Sequence, residues 1–409
     1  MSAHPAPRGA LVALIAGLQF VYLLDFLLML PLAPDLVRAL GLPPARMPWL
    51  AAAYSAAAMA AGALGATWLD RWPRRTVLLG SLAAFTLATA ATAACSSLGQ
   101  LLVARAAAGL AGGPMVAIAM ALLADAVPPA ERGRAMGRVM LGFPVAAIAG
   151  VPAALEAARW LGWQAPFLIV AALAVLLGSW AWRQLPRQPA HCLQPADSGA
   201  GLAALLRQPA VRRACTMQAL AQFCAFLLIP NFSTYFVLNL GVPRDQLGLL
   251  YLVGGVSALL AMRASGHLTD TRGALLPWGL ATVATTLGTL PLLGWHAGPP
   301  VLMFALFMAG NAARNVALSA TSSQVPGPAE RGRYMALQSL VQDAAITAAS
   351  LLCGVLLDSG PDGQLLGMPA LAAVSIACAL GLAPLLAAVR RSLPAQPQGE
   401  PVPDGPQPG

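Results

Sequence analysis

Four ionisable residues stand inside long apolar stretches of this chain: Asp25, Arg105, Arg314 and Asp343. A charge removed from water is costly unless paired or hydrogen-bonded, so each marks a binding, coupling or packing site. Depth sorts them into two pairs. At 1.5 Å per helical residue, Asp25 lies about 9 Å below one end of its segment, and Arg105 about 8 Å below the same end of another. Arg314 and Asp343 each lie roughly 15 Å from the opposite end. A carboxylate facing a guanidinium has two uses. It is a fixed salt bridge that specifies helix packing. Or it is a proton switch: burial favours the neutral acid, the guanidinium favours the carboxylate, and a movement that parts them exchanges a proton. Both uses stay open for both pairs.

Other polar side chains accompany these charges at helical spacing. Tyr22 stands three residues before Asp25, while Asn311, Asn315, Gln338 and Gln342 surround Arg314 and Asp343. Gln222 and Asn231 share a further segment, where Pro230 and Asn231 are placed either to break the helix and expose carbonyls or to make a kink with a satisfied amide. Arg263, near the end of its segment, reads as a snorkelling side chain. Other chemistries lack their residues. The four histidines and six cysteines form neither metal-ligand spacing nor a catalytic triad. The chain contains no lysine, so the phosphate-binding Gly-x-x-x-x-Gly-Lys motif cannot occur. The sequence calls for no cofactor, and the chain does not read as an enzyme.

The elements that hold these residues follow from composition. Only 10% of the 409 residues are charged and 58% are hydrophobic, against about 25% charged in soluble proteins. Such a chain requires a lipid bilayer as partner. Apolar stretches at 10–33, 47–69, 76–95, 99–127, 135–157, 163–182, 213–238, 247–268, 274–294, 299–323, 333–357 and 367–389 predict twelve membrane helices, an all-α polytopic fold. The first runs on past Asp25 without a cleavage site and reads as a true span. Of the loop arginines, seventeen fall on the side of the termini and four on the other, which predicts both termini in the cytoplasm of a cell membrane (the inner membrane in a Gram-negative source). The arginines are scattered, so nucleic acid is not an expected partner.

The hexapeptide Pro-Ala-Glu-Arg-Gly-Arg occurs at 129–134 and again at 328–333, and Asp70 in one loop matches Asp270 in another. Two loop motifs at nearly one offset predict two parallel six-helix halves. The expected units are a bundle over 1–187, a cytoplasmic linker over 188–210, a second bundle over 211–393 and a disordered tail over 394–409.

At these residues the chain resembles the major facilitator superfamily. Asp70, Arg71, Arg74 and Arg75 occupy the charged positions of that family's loop between spans two and three, with Ala66 and Pro73 where glycines are usual. Arg105 and Gly109 fit its fourth-span Arg-x-x-x-Gly pattern, and the fifth span from Gly142 to Pro152 looks like the drug and sugar efflux branch, without its full Gly-Pro-x-x-Gly-Gly. The resemblance implies a secondary transporter that works as a monomer, exchanging protons for a small-molecule substrate by alternating access, with Asp25 the principal proton carrier and Arg105 its partner. Uptake of an organic anion held by the intramembrane arginines, or a non-transporting sensor on the same scaffold, are the alternatives. Asp70, Arg71, Arg74, Arg75, Asp125, Arg331 and Arg333 are the expected cytoplasmic latch between halves.

Overall fold

The computed structural model describes residues 8–68, 72–185, 198–294, 298–327, 330–361 and 363–393. Asp70, Arg71, the linker from 188 to 197 and the tail 394–409 lie outside the described residues. Seventeen helices appear among them: α1 Arg8–Leu28, α2 Ala33–Leu40, α3 Pro48–Trp68, α4 Arg74–Thr92, α5 Leu98–Ala126, α6 Pro129–Met140, α7 Gly142–Val145, α8 Val151–Leu161, α9 Ala165–Gln184, α10 Ser198–Arg207, α11 Pro209–Phe226, α12 Phe232–Leu238, α13 Leu247–Arg272, α14 Leu275–Thr289, α15 Pro300–Ser322, α16 Arg331–Leu356 and α17 Met368–Ser392. They make twelve stretches long and apolar enough to cross a bilayer. Each overlaps one expected from the sequence, with ends shifted by a few residues.

Three departures from regularity have local causes. The first span stops at Leu28, before Pro31, and a turn leads into the short α2, which ends at Gly41 in the left-handed region (φ 61°). In the fifth span, Pro152 supplies no N–H to the turn before it, and residues Ala146–Gly150 widen into a π-helix between α7 and α8. The seventh span breaks between α11 and α12, where Ile229–Asn231 forms one 3-10 turn around Pro230. The linker is partly helical, since α10 occupies 198–207 and buries Leu205 against the second half.

Apolar packing runs continuously through the first six spans. In the second six it divides into a cluster around α12 and one around the start of α11. Aromatic rings secure the broken span: Phe232 lies 4.7 Å from Phe307 and 5.4 Å from Phe304, centroid to centroid. Each such pair contributes about 0.5–1.5 kcal/mol beyond its burial. The small residues of α5 act in packing. A Cβ on Gly109 would strike the Tyr54 backbone of α3, and Gly113 lies against Ala58.

The halves meet along α3 and α16, where Ser55 and Thr347 hydroxyls are 2.9 Å apart. Gly354 of α16 leaves the room that the Trp49 indole of α3 occupies. Phe26 of α1 also meets Phe226 of α11, with ring centroids 5.9 Å apart. At the end opposite the termini, Asp35 and Arg244 join the halves. There Arg244 Nε donates to both carboxylate oxygens of Asp35, at 2.6 and 2.8 Å, and Nη2 donates to Oδ2 at 2.5 Å. The Ala45 N–H reaches Ser359 Oγ at 3.4 Å, beside a two-strand ribbon of β1 Asp358–Ser359 and β2 Leu365–Leu366.

Candidate functional site

The first buried pair forms as its matched depths predict. Asp25 comes from α1 and Arg105 from α5, and they are 0% and 1% exposed. Arg105 Nη1 donates to Asp25 Oδ2 at 3.0 Å. Thr89 of α4 donates its hydroxyl to Asp25 Oδ1 at 3.1 Å. Arg105 Nη2 donates to Thr92 Oγ1 at 2.6 Å, and the Thr92 hydroxyl donates in turn to the Ala88 carbonyl at 3.0 Å. The guanidinium also lies over the rings of Phe167 at 5.3 Å and Tyr54 at 5.9 Å. The charges thus cancel inside a cage of two threonines and two aromatic rings, and charge-assisted hydrogen bonds of this kind are the strong ones. Arg105 Nε and the Tyr54 hydroxyl are the cage's polar atoms without a hydrogen-bond partner.

Thr89, Thr92, Tyr54 and Phe167 were not singled out from the sequence. The threonines had a usable signal: they are three residues apart on one helical face, near the same end of the membrane as Asp25 and Arg105.

The second expected pair does not form. Arg314 is 1% exposed on α15, and its Nη2 donates to Asn311 Oδ1 at 2.8 Å and the Ala221 carbonyl of α11 at 3.4 Å. The Cys224 thiol of α11 lies beside it. Among the described residues no carboxylate comes within 4.0 Å of Arg314. Asp343 stands on α16, the helix that packs against α3 of the first half, and makes no ion pair among the described residues. Equal depth brought neither residue to the other because α15 and α16 present them to different neighbours. Tyr22 and Tyr54 stand with ring centroids 6.0 Å apart, next to Phe26 at 5.2 Å from Tyr54.

The other polar candidates scatter. Gln338 hydrogen-bonds Ser322 and lies 3.2 Å from the Tyr334 hydroxyl, toward the end that carries the termini. Gln222, Asn315 and Gln342 are partly exposed. Asn231 is 1% exposed and donates to the Leu227 carbonyl at 3.1 Å, so its amide closes the kink. The carbonyls freed by that kink are also covered: the Cys353 thiol approaches that of Leu227 at 3.2 Å, and Ser375 donates to that of Cys224 at 2.7 Å. This span therefore offers little bare backbone to a ligand.

At the end that carries the termini, Arg74 forms an ion pair with Asp125 of α5. Arg75 Nη2 donates to the Trp182 carbonyl at 2.7 Å and stacks on its indole at 4.9 Å. Both contacts stay within the first half, so these arginines brace α4 against α5 and α9 and do not reach the second half. Arg331 and Arg333 are exposed and form no ion pair among the described residues. Arg263 is exposed, as a snorkelling side chain is.

The profile of the Major Facilitator Superfamily matches residues 15–350. The chain is similar to a chloramphenicol resistance protein of Streptomyces lividans, 28% identical over 269 residues that span 65% of this chain and 66% of that protein. It is also similar to a chromaffin granule amine transporter of Homo sapiens, 32% identical over 164 residues, or 40% of this chain and 31% of the relative. The chain thus spans just under two thirds of the first relative's length and about a third of the second's. Among solved structures it superposes on a bacterial homolog of the human lysosomal transporter Spinster, inward-facing and unoccupied, with TM-score 0.73 at 15% identity over 94% of this chain and 97% of that one. The nucleoside transporter NupG superposes with TM-score 0.74 at 13% identity, over 94% and 100%. At those identities the superpositions speak for the fold alone. Twelve apolar helices in this arrangement and a profile match over most of the length agree: the chain is a multi-pass membrane protein that belongs to the major facilitator superfamily.

Proposed function

We propose that the chain exports a small solute from the cytoplasm in exchange for protons, by alternating access, as a monomer in the cell membrane with both termini cytoplasmic. The observation that carries this reading is the caged Asp25–Arg105 pair, a carboxylate at 0% exposure held by one guanidinium and one hydroxyl. Among the described acidic residues of the first half, it alone is buried. Parting the pair while Asp25 stays dry favours proton uptake, and restoring it favours release. The motion has joints ready, at the π-helix of the fifth span and the break in the seventh.

Asp343 supplies the second element. It has no ion-pair partner among the described residues and shares its surroundings with Tyr22 and Tyr54, across the line between halves. A carboxylate beside aromatic faces suits an organic cation with an apolar body. Similarity to a chloramphenicol resistance protein and to an amine transporter supports a small organic solute.

A second reading, uptake of an organic anion, loses Arg105, which Asp25 already neutralises, and keeps only Arg314. Proteoliposomes under an imposed proton gradient separate the readings, with chloramphenicol and a fluorescent aromatic amine as probes. Proton-driven accumulation against the gradient of either probe supports export. Anion uptake without it supports the second reading, and the absence of any flux supports a sensor on this scaffold.

A further inference from the structure

Arg314 is a buried charge without a counter-charge. Its Nε and Nη1 groups have no hydrogen-bond partner, and its Nη2 has only an amide oxygen and a main-chain carbonyl. Removing a guanidinium from water costs several kcal/mol unless an anion compensates it. Cys224 stands 199 residues after Asp25, the offset of the duplicated hexapeptide, whereas Arg314 stands 209 residues after Arg105, so the second half carries its arginine at a different level. Where the first half places a carboxylate against its arginine, the second places a thiol. Six residues before Cys224 on α11, Gln218 leaves its Oε1 without a partner while its amide donates to Ser319 Oγ at 3.2 Å. Arg314 of α15 thus presents free donors on a permanent cation, and α11 and α15 bury the small side chains of Ala221, Cys224 and Ala317.

We propose that Arg314, with Asn311 beside it, forms a binding site for a small monovalent anion, either free chloride or a carboxylate borne by the transported solute. Arg314 is 1% exposed here, so the anion enters when α11 and α15 part, which the break at Ile229–Asn231 permits by letting α12 move separately from α11. The proposal stands independently of proton coupling.

Thermal unfolding of the purified full-length protein tests it, in chloride, gluconate, acetate and benzoate at matched ionic strength. The expected result is a saturable rise of a few degrees in the unfolding midpoint, absent in Arg314→Gln and retained in Arg314→Lys. A rise with chloride identifies the free ion as the source. A rise with acetate or benzoate alone identifies a solute carboxylate. Where Arg314→Gln fails to fold, Cys224→Asp serves instead: a built-in carboxylate should remove the anion effect. A midpoint that responds to none of these anions overturns the proposal, as does a response that survives in Arg314→Gln or Cys224→Asp. Because no transport is read, failure here leaves the proton-coupled reading standing, and the loss of proton-driven flux leaves this site standing.

Discussion

The two halves of the molecule handle a buried arginine in opposite ways. In the first, Arg105 meets Asp25, Thr92 and two aromatic rings, and its charge is cancelled where it stands. In the second, Arg314 meets an asparagine and a carbonyl, while the half's intramembrane acid, Asp343, makes no ion pair among the described residues. A neutralised pair stores no net charge and responds to whatever separates it. A separated cation and anion each await a partner from outside. Under the proposed exchange, the first half would serve coupling and the second ligand recognition.

The most severe way to break this comparison is to leave a charge unpaired in the first half. Arg105→Gln should cost about 3–5 kcal/mol of stability, because Asp25 is left buried alone. Asp25→Asn with Arg105→Gln should recover most of that loss, as read by unfolding midpoints of the single and double variants. Equal losses in both would mean that packing, not charge, sets the cost. The comparison is sharpened by giving the second half the first half's solution. Cys224→Asp should contribute about 1.5–3 kcal/mol through a hydrogen-bonded pair with Arg314. A destabilised Cys224→Asp protein would show that α11 does not aim residue 224 at the guanidinium.

Smaller effects are expected at the seam between halves. Asp35 and Arg244 are 20% and 17% exposed, so Arg244→Gln should weaken closure of that end by about 1 kcal/mol. The readout is the rate at which a cysteine introduced at Ala45 reacts with a water-soluble maleimide. It should rise several-fold in the variant and in high salt, and an unchanged rate would remove the pair from the gate. The smallest effect belongs to Arg263, exposed at its helix surface. Arg263→Gln should change stability by less than about 0.5 kcal/mol and leave flux intact. A larger loss would give that side chain a role beyond reaching the headgroups.

Sequence reading located the spans because twenty-residue apolar runs leave a strong one-dimensional signal. It also found the Asp25–Arg105 pair, because the first and fourth spans carry their charges near the same end. The same depth argument failed for Arg314 and Asp343. Depth fixes one coordinate, whereas the direction of a side chain around its helix is set by packing, and here Arg314 was turned toward Ala221. Thr89 and Thr92 stayed hidden among apolar residues since a membrane threonine ordinarily bonds its own helix, as Thr285 does with Ala281 at 2.8 Å. Asp35 and Arg244 were masked by distance in the chain: two loop charges 209 residues apart carry no local pattern. The pairing of Arg74 with Asp125 was legible because both stand at one end of the membrane, whereas Asp70 and Arg71 of the expected latch lie outside the described residues.

The central claim is that Asp25 moves the proton, and gradient-driven transport by Asp25→Asn tests it most directly. Asn keeps the shape and one oxygen for the Thr89 hydroxyl, and Thr92 and Phe167 still hold Arg105. In proteoliposomes, the variant should lose accumulation of chloramphenicol or an aromatic amine driven by a proton gradient, while solute counterflow without a gradient persists. Full proton-driven accumulation by Asp25→Asn would contradict the account and move the coupling role to Asp343.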